Sequence, residues 1–136
     1  MKKIAQKQIG KLPLVGAGAQ ASDAMAANGG FQTVLTDQVS LHDSSPGVLL
    51  VNGALEVHAE GFAPSVDVRV LVNGQQEGGT FSTSMIADGT GTVPVSIQCD
   101  GLIAGTHTVE VQAQGPTGLG VSFRDRSLNA AAMPGI

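Results

Sequence analysis

The sequence predicts an all-β fold, an antiparallel β-sandwich or jelly roll preceded by an extended N-terminal arm. Short segments in which apolar and polar residues alternate are separated by glycine-containing turns, and no long helical periodicity interrupts them. The 136 residues include 19 glycines and four Phe but neither Trp nor Tyr, so the core must consist of Val, Leu, Ile and Ala. This length supports one domain, assigned to residues 31–136, with the arm at residues 1–30.

The arm differs from the rest of the chain in charge. All four lysines, Lys2, Lys3, Lys7 and Lys11, lie in the first eleven residues, and all eleven carboxylates come later. Three arginines against eleven carboxylates give residues 12–136 a net charge of −8. Residues 16–30 include ten Gly or Ala and cannot form a core, although Ser22 could cap a short helix through Ala27. We therefore expect the arm to dock on another polypeptide, with the four lysines as docking residues.

Seven segments with strand character follow the arm. Asn73-Gly74 predicts a tight hairpin, and Asp88-Gly89-Thr90-Gly91 predicts a further turn. Asn52-Gly53 fits either a hairpin turn or a bend within one long strand, and the bend is favoured. Pro94 lacks a backbone donor, which places its strand at a sheet edge or at a strand start. The predicted strands are 34–41, 48–59, 66–72, 80–87, 93–99, 106–113 and 121–128.

The chemistry-bearing residues do not predict an enzyme. His42, His58 and His107 lie on different segments without a short metal-ligand spacing, and no nucleophile motif accompanies the Ser, His and Asp residues. We therefore predict no catalytic residue, no metal and no cofactor. Cys99 ends an alternating strand and is interpreted as a small buried thiol.

Nucleic acid and membrane are disfavoured as partners. The body is acidic and lacks the Tyr and Trp side chains on which bases stack. No apolar run approaches the roughly 20 residues that span a bilayer.

Arg124-Asp125-Arg126 is the most informative charged cluster of the body. In a regular strand Arg124 and Arg126 share one face and Asp125 lies on the other. The two arginines fit either an exposed edge or a subunit interface, where their planar guanidinium groups bind carboxylates or backbone oxygens of a neighbour. They are the candidate interface residues.

Three stretches together carry a family resemblance. They are VRVLVNG at residues 68–74, AGTHTVEVQ at residues 104–112 and RDRSL at residues 124–128. Their order resembles the small β-sandwich or jelly-roll domains of bacteriophage tail-fibre and head-decoration proteins, some of which are similar to the trimeric tumour-necrosis-factor fold. The resemblance covers the chain from Gly47 onward and implies a homotrimer that an N-terminal segment anchors to a virion.

The functional hypothesis is a non-enzymatic phage virion protein of the capsid-decoration or head-fibre type. Its expected partners are further copies of itself and a capsid or tail protein. The alternative is a short tail-fibre or tail-tip module that binds a glycan or another receptor on the host surface.

Overall fold

A computed structural model describes residues 15–41 and 47–134 of the chain, and these residues form strands and short connections without a helix. The all-β antiparallel fold predicted from the sequence is confirmed. The strands are β1 Val15–Ala21, β2 Met25–Ala26, β3 Gln32–Leu41, β4 Gly47–Val72, β5 Gln75–Leu102, β6 Gly105–Gln114 and β7 Ser122–Pro134.

The long hairpin β4–β5 determines the architecture. Asn73 and Gly74 form its turn with φ angles of 53° and 83°, which confirms the predicted hairpin. The first part of β4 pairs with β7 from Gly47 to His58, whereas its last part pairs with β6 from Asp67 to Val72. The hairpin therefore crosses between two sheets, and the register shift between Ala59 and Phe62 lies at the crossing.

The two sheets form a sandwich. The β1 sheet contains β1, β7, the first half of β4 and the second half of β5, with β2 also paired to β7. The β3 sheet contains β3, β6, the second half of β4 and the first half of β5. Alternate residues of both sheets face inward and form one apolar core. Its largest fully buried side chains include Phe123, Leu49, Leu55 and Leu128.

One predicted turn is strand instead, and an ambiguous dipeptide continues its strand. Asp88-Gly89-Thr90-Gly91 continues β5, so the turn prediction there was wrong. Asn52-Gly53 continues β4 with regular pairing on both sides, so the hairpin alternative is excluded and the strand is continuous, as favoured, without a bulge at this point. Only glycine fits at position 53, because a Cβ atom there would lie 2.5 Å from the Ser127 carbonyl oxygen. Pro94 lies on a stretch of β5 whose only partner among the described strands is β4, so of the two predicted positions, sheet edge or strand start, the described residues show the sheet edge.

The arm prediction needs a correction for the residues that the structure describes. Val15–Ala21 pairs with β7 over seven residues, and Met25–Ala26 replaces the expected short helix with a second pairing to β7. A strand at the edge of a sheet is held by backbone hydrogen bonds to a single neighbour. The Gly and Ala residues of β1 can therefore pair with β7 although their side chains are small. Residues 15–26 thus gain their order within their own subunit, and the four lysines lie outside the described residues.

Candidate functional site

A bulge in β7 turns Arg126 toward the interior. Between the pairs Leu55–Arg126 and Val57–Phe123, β7 has one residue more than β4, so the side-chain alternation shifts at Arg124-Asp125. Arg126 then shares the inward face with Leu128 and is buried, while Asp125 is exposed. The expectation that Arg124 and Arg126 share one face was wrong, because a regular strand was assumed.

The Arg126 guanidinium joins β7 to the segment that connects β1 and β2. Its Nη2 donates to Asp23 Oδ1 at 2.8 Å, and its Nη1 donates to the Asp23 carbonyl oxygen at 2.6 Å. Nη1 also contacts the carbonyl oxygens of Phe123 and Arg124 at 2.9 and 3.1 Å. Its Nε is buried and has no hydrogen-bond partner among the described residues. Arg126 therefore acts as an anchor within the subunit, and Asp23 neutralises its charge.

A trough runs along β1 and β7 on the outer face of the β1 sheet. It consists of a groove of about 570 Å³ and an adjoining groove of about 340 Å³, which share Gln20 and Ser127. The larger groove is lined by Gln20, Ala21, Ser22, Ala54, Glu56, Thr92, Asp125, Arg126 and Ser127. The smaller is lined by Gly18, Ala19, Gln20, Ser127, Leu128 and Asn129. Hydroxyl, amide and carboxylate groups line a surface with few large side chains.

The charge of the trough is negative. Glu56 is half-buried and Asp125 is exposed, and neither pairs with a cation of the described residues. Arg126 is already paired with Asp23, whose side chain is 77% exposed. The two unpaired carboxylates therefore determine the field in the larger groove, and they suit a cationic partner.

The predicted interface residues thus have separate roles. Arg124 is half-buried, and its Nε donates to Ser122 Oγ at 3.2 Å. Arg126 is turned into its own subunit, with a side chain only 4% exposed. Sequence reasoning missed the trough, because Gly and Ala in β1 carry no chemical signal and Glu56 lies 69 positions before Asp125.

The outer face of the β3 sheet carries a polar network that was also missed. Arg69 Nε donates to Gln112 Oε1 at 2.9 Å, and the Arg69 guanidinium lies 4.0 Å from the centroid of the Phe31 ring. Gln112 Nε2 donates to Thr33 Oγ1, which donates in turn to Glu110 Oε2. This network joins β3, β4 and β6 and leaves the Phe31 ring half-exposed.

Two of the three candidate histidines and Cys99 make contacts within the fold. His107 is buried between Asn73 Nδ2, 2.9 Å from its Nδ1, and the Ile103 carbonyl oxygen, 2.7 Å from its Nε2. His58 Nδ1 lies 3.4 Å from Thr90 Oγ1, and His42 is outside the described residues. Cys99 is buried as predicted. Burial raises the pKa of its thiol, and the nearby Glu77 carboxylate raises it further.

The described residues contain neither a metal-binding cluster nor a membrane-spanning helix. Across residues 15–41 and 47–134, no group of three or more His, Cys, Asp or Glu side chains could hold a metal ion. None of the described segments is a helix long and apolar enough to cross a membrane.

Comparison with known proteins identifies the fold. A scan against protein-family models and a search of curated proteins found no match. Among solved structures, the chain is similar to Eiger TNF from S. frugiperda, with a TM-score of 0.52 and 13% identity over 91% of this chain and 94% of that chain. It is also similar to murine APRIL, with a TM-score of 0.51 and 12% identity over 88% of this chain and 98% of that chain.

A third similar structure is a much longer protein, dimeric latent PorU from Porphyromonas gingivalis. The TM-score is 0.54 at 12% identity, and the match covers 89% of this chain and 13% of that one. At these identities the likeness establishes the fold alone. The fold is a jelly-roll β-sandwich of the tumour-necrosis-factor type.

Proposed function

We propose that this chain is a non-enzymatic structural component of a phage virion, of the capsid-decoration or head-fibre type. In this proposal the β-domain forms a homotrimer, and residues 1–14 hold the protein to a neighbouring polypeptide of the particle. The resemblance of residues 68–74, 104–112 and 124–128 to phage fibre and decoration domains supports the virion role. The tumour-necrosis-factor type of fold is compatible with a trimer.

The observation that carries the self-association is the character of the outer face of the β1 sheet. Its central positions bear only small or uncharged side chains, whereas the outer face of the β3 sheet carries Asp67, Arg69 and Glu110. Because these central positions carry no charge, a second copy can cover them at a lower desolvation cost than the charged β3 face, while Glu56 and Asp125 lie at one end of the face. These central residues are Gly18, Gln20, Leu50, Asn52, Ala54, Pro94, Ser96, Ser127, Asn129 and Ala131.

A charge placed on this face tests the proposed association. Asn129→Lys should convert the oligomer to monomers, because an ammonium group would be buried opposite Asn52 and next to β1. Gln38→Lys is the matched control, since Gln38 is exposed on the β3 sheet. Sedimentation equilibrium measures the mass, and circular dichroism verifies that both variants fold. Equal masses for the two variants would place the interface elsewhere.

The virion role has a separate test. Mass spectrometry of density-purified phage particles should detect the chain at a stoichiometry that is a multiple of three. Particles that assemble fully without the protein bound, while it stays in the soluble fraction, would contradict the structural role. Removal of residues 1–14 leaves β1 in place and should release the protein from particles without dissociating the trimer.

One observation favours the host-attachment alternative. The half-exposed Phe31 ring, the Arg69 guanidinium and the Asp67 carboxylate lie on one outer face, and such a set can bind the apolar face and the hydroxyl groups of a sugar. A glycan array probed with the full chain tests this alternative, with Phe31→Ala as the matched control. Hits that are lost in Phe31→Ala would favour attachment, and an array without hits would count against it.

A further inference from the structure

We propose that His107 is an acid-sensitive latch, which holds the β4–β5 turn and the β5–β6 loop closed while its ring is neutral and releases them when the ring takes up a proton. The β5–β6 loop is residues 103–104. His107 joins this loop, at Ile103, to the turn, at Asn73, and to the start of β6. The proposal does not depend on the virion role, since it rests on contacts within one subunit.

The hydrogen bonds of His107 require a neutral ring with its proton on Nε2. Nε2 lies 2.7 Å from the Ile103 carbonyl oxygen, which can only accept, so Nε2 is the donor. Nδ1 lies 2.9 Å from Asn73 Nδ2, which can only donate, so Nδ1 is the acceptor. A neutral imidazole has one donor nitrogen and one acceptor nitrogen, and both are satisfied here.

The Asn73 amide cannot adapt to a change in the ring. Its Oδ1 accepts from the Thr108 backbone N–H at 3.0 Å, and the Asn73 backbone N–H donates to the Thr108 carbonyl oxygen at 2.8 Å. Rotating the amide by half a turn would offer an oxygen to His107 but would place its NH2 group against the Thr108 N–H. One hydrogen bond is therefore lost in either orientation once Nδ1 carries a proton.

Protonation turns Nδ1 into a second donor and gives the ring a positive charge. His107 is only 6% exposed, so the closed fold leaves that charge largely unsolvated and without an acceptor. The open state, in which the ring reaches water, takes up the proton more readily than the closed one. By linkage, the closed state is fully stable at neutral pH and is lost as the pH falls through the range in which histidine gains its proton.

Asp37 is the carboxylate that faces His107 from β3. It occupies the inward position next to Val39, the partner of His107, and is half-buried. Its Oδ1 accepts from the Gln38 N–H at 2.7 Å, and it forms no ion pair with His107. A carboxylate in this place favours a charged ring, so Asp37 opposes the release and does not cause it.

The charged groups of the other packed elements lie farther from the ring. On β4 the inward residues Val70 and Val72 are apolar. On β5, Glu77 pairs with Val70 and lies near Cys99, and β4 separates this strand from β6. The inward residues at this end of the facing sheet are apolar, namely Leu49, Val51, Ala130 and Ala132.

Opening of the latch changes one end of the sandwich. Ile103 is the most exposed large apolar side chain of the described residues, at 71%. The bond from His107 to the Ile103 carbonyl oxygen fixes the loop that carries this side chain, and the Asn73 contacts fix the adjacent turn. Acid therefore alters how the molecule presents Ile103 while the β1 sheet keeps its pairing.

Amide hydrogen exchange of the full chain, followed by NMR and corrected for the intrinsic effect of pH, tests the latch. Lowering the pH from about 7.5 to about 5.5 should reduce the protection of the Asn73 and Thr108 amides roughly tenfold, because a hydrogen bond is lost and a charge is left unsolvated. The Leu128 amide in β7 should keep its protection. Unchanged protection of Asn73 and Thr108 over this range overturns the proposal.

Two variants identify the group that takes up the proton. His107→Gln keeps a donor and an acceptor but does not titrate, so the loss of protection in acid should disappear. Asn73→Asp places a carboxylate where it can accept from a protonated Nδ1 and from the Thr108 N–H, and Asp-Gly also suits the turn. In that variant acid should increase the protection, and this result decides the matter if His107→Gln does not fold.

Two further variants are controls. His58→Gln replaces a histidine of the β1 sheet and should retain the wild-type loss in acid. Asp37→Asn should retain or enlarge it, because Asp37 opposes the release. The proposal is overturned if the loss persists in His107→Gln, if Asn73→Asp leaves it unchanged, or if either control abolishes it.

Discussion

Arg126 Nη2 lies 2.8 Å from Asp23 Oδ1, so the last strand binds the segment between the first two strands across 103 positions of sequence. The same guanidinium satisfies the carbonyl oxygens of Asp23, Phe123 and Arg124. Arg126 therefore fixes the segment between β1 and β2 against β7, next to the seven-residue pairing that holds β1.

The first prediction concerns the two partners of this pair. Arg126→Met should lower the free energy of unfolding by about 1–3 kcal/mol, because it leaves buried carbonyl oxygens without a donor. Asp23→Asn should cost less, about 0–1 kcal/mol, since Asp23 is mostly exposed and its backbone oxygen still binds Arg126. Urea denaturation of both variants measures the difference. If both variants lose the same free energy of unfolding, the ion pair with Asp23 contributes more to stability than the hydrogen bonds from Arg126 to the carbonyl oxygens.

The second prediction concerns the close approach of β7 to β4. A Cβ atom on Gly53 would lie 2.5 Å from the Ser127 carbonyl oxygen and 3.2 Å from Val95 Cγ2. Gly53→Ala should therefore lower stability by about 1–3 kcal/mol, through overpacking. Gly79→Ala is the control, since no atom lies within 4 Å of its Cβ position, and it should leave stability unchanged or raise it by up to about 1 kcal/mol. Thermal unfolding that ranks the variants in the reverse order would contradict the packing described for β4 and β7.

The third prediction concerns the hairpin turn. Asn73 has a φ of 53°, its Oδ1 accepts from the Thr108 backbone N–H at 3.0 Å, and its Nδ2 contacts His107. Asn73→Gly removes both side-chain contacts but tolerates the left-handed backbone, and we expect a loss of about 1–2 kcal/mol. Asn73→Ala adds the backbone strain and should cost about 1 kcal/mol more. Chemical denaturation curves give both values, and an alanine variant as stable as the glycine variant would argue against the left-handed turn.

The fourth prediction concerns pH. Because the Cys99 thiol has a raised pKa in the folded protein, the unfolded chain loses this proton first as the pH rises past the ordinary value of 9.0. Its contribution to stability is thus fully present below pH 9 and declines above it, until the folded thiol also ionises. Cys99→Ala should flatten the alkaline decline in unfolding free energy. If the unfolding free energies of the wild type and Cys99→Ala decline equally as the pH rises above 9, the raised pKa of the Cys99 thiol does not contribute to this decline.

The sequence predicted most strands because their residues alternate in the regular way. Val66, Val68, Val70 and Val72 face the core, as do Val93, Val95, Ile97 and Cys99. The sequence did not predict that β4 and β5 continue as strand through residues 61–65 and 88–91, because Gly, Pro and Asp favour turns locally. Pairing over the full length of the hairpin overrides that preference.

The candidate site was harder to predict for a different reason. β1 consists mainly of Gly and Ala, which carry little strand propensity, so its pairing with β7 depends on a partner more than 100 residues away. The orientation of Arg126 depends on a one-residue bulge, and alternation alone cannot reveal a bulge. The lysine arm was visible in the sequence, but the acidic trough exists only after β1, β4, β5 and β7 come together.

The native mass of the full chain tests the central claim, self-association of the β-domain, most directly. Native mass spectrometry at micromolar concentration and near-physiological salt should give three times the 13.7 kDa of the chain, with Asn129→Lys shifting the mass to a single chain. A wild-type protein that stays at 13.7 kDa under these conditions would contradict the account.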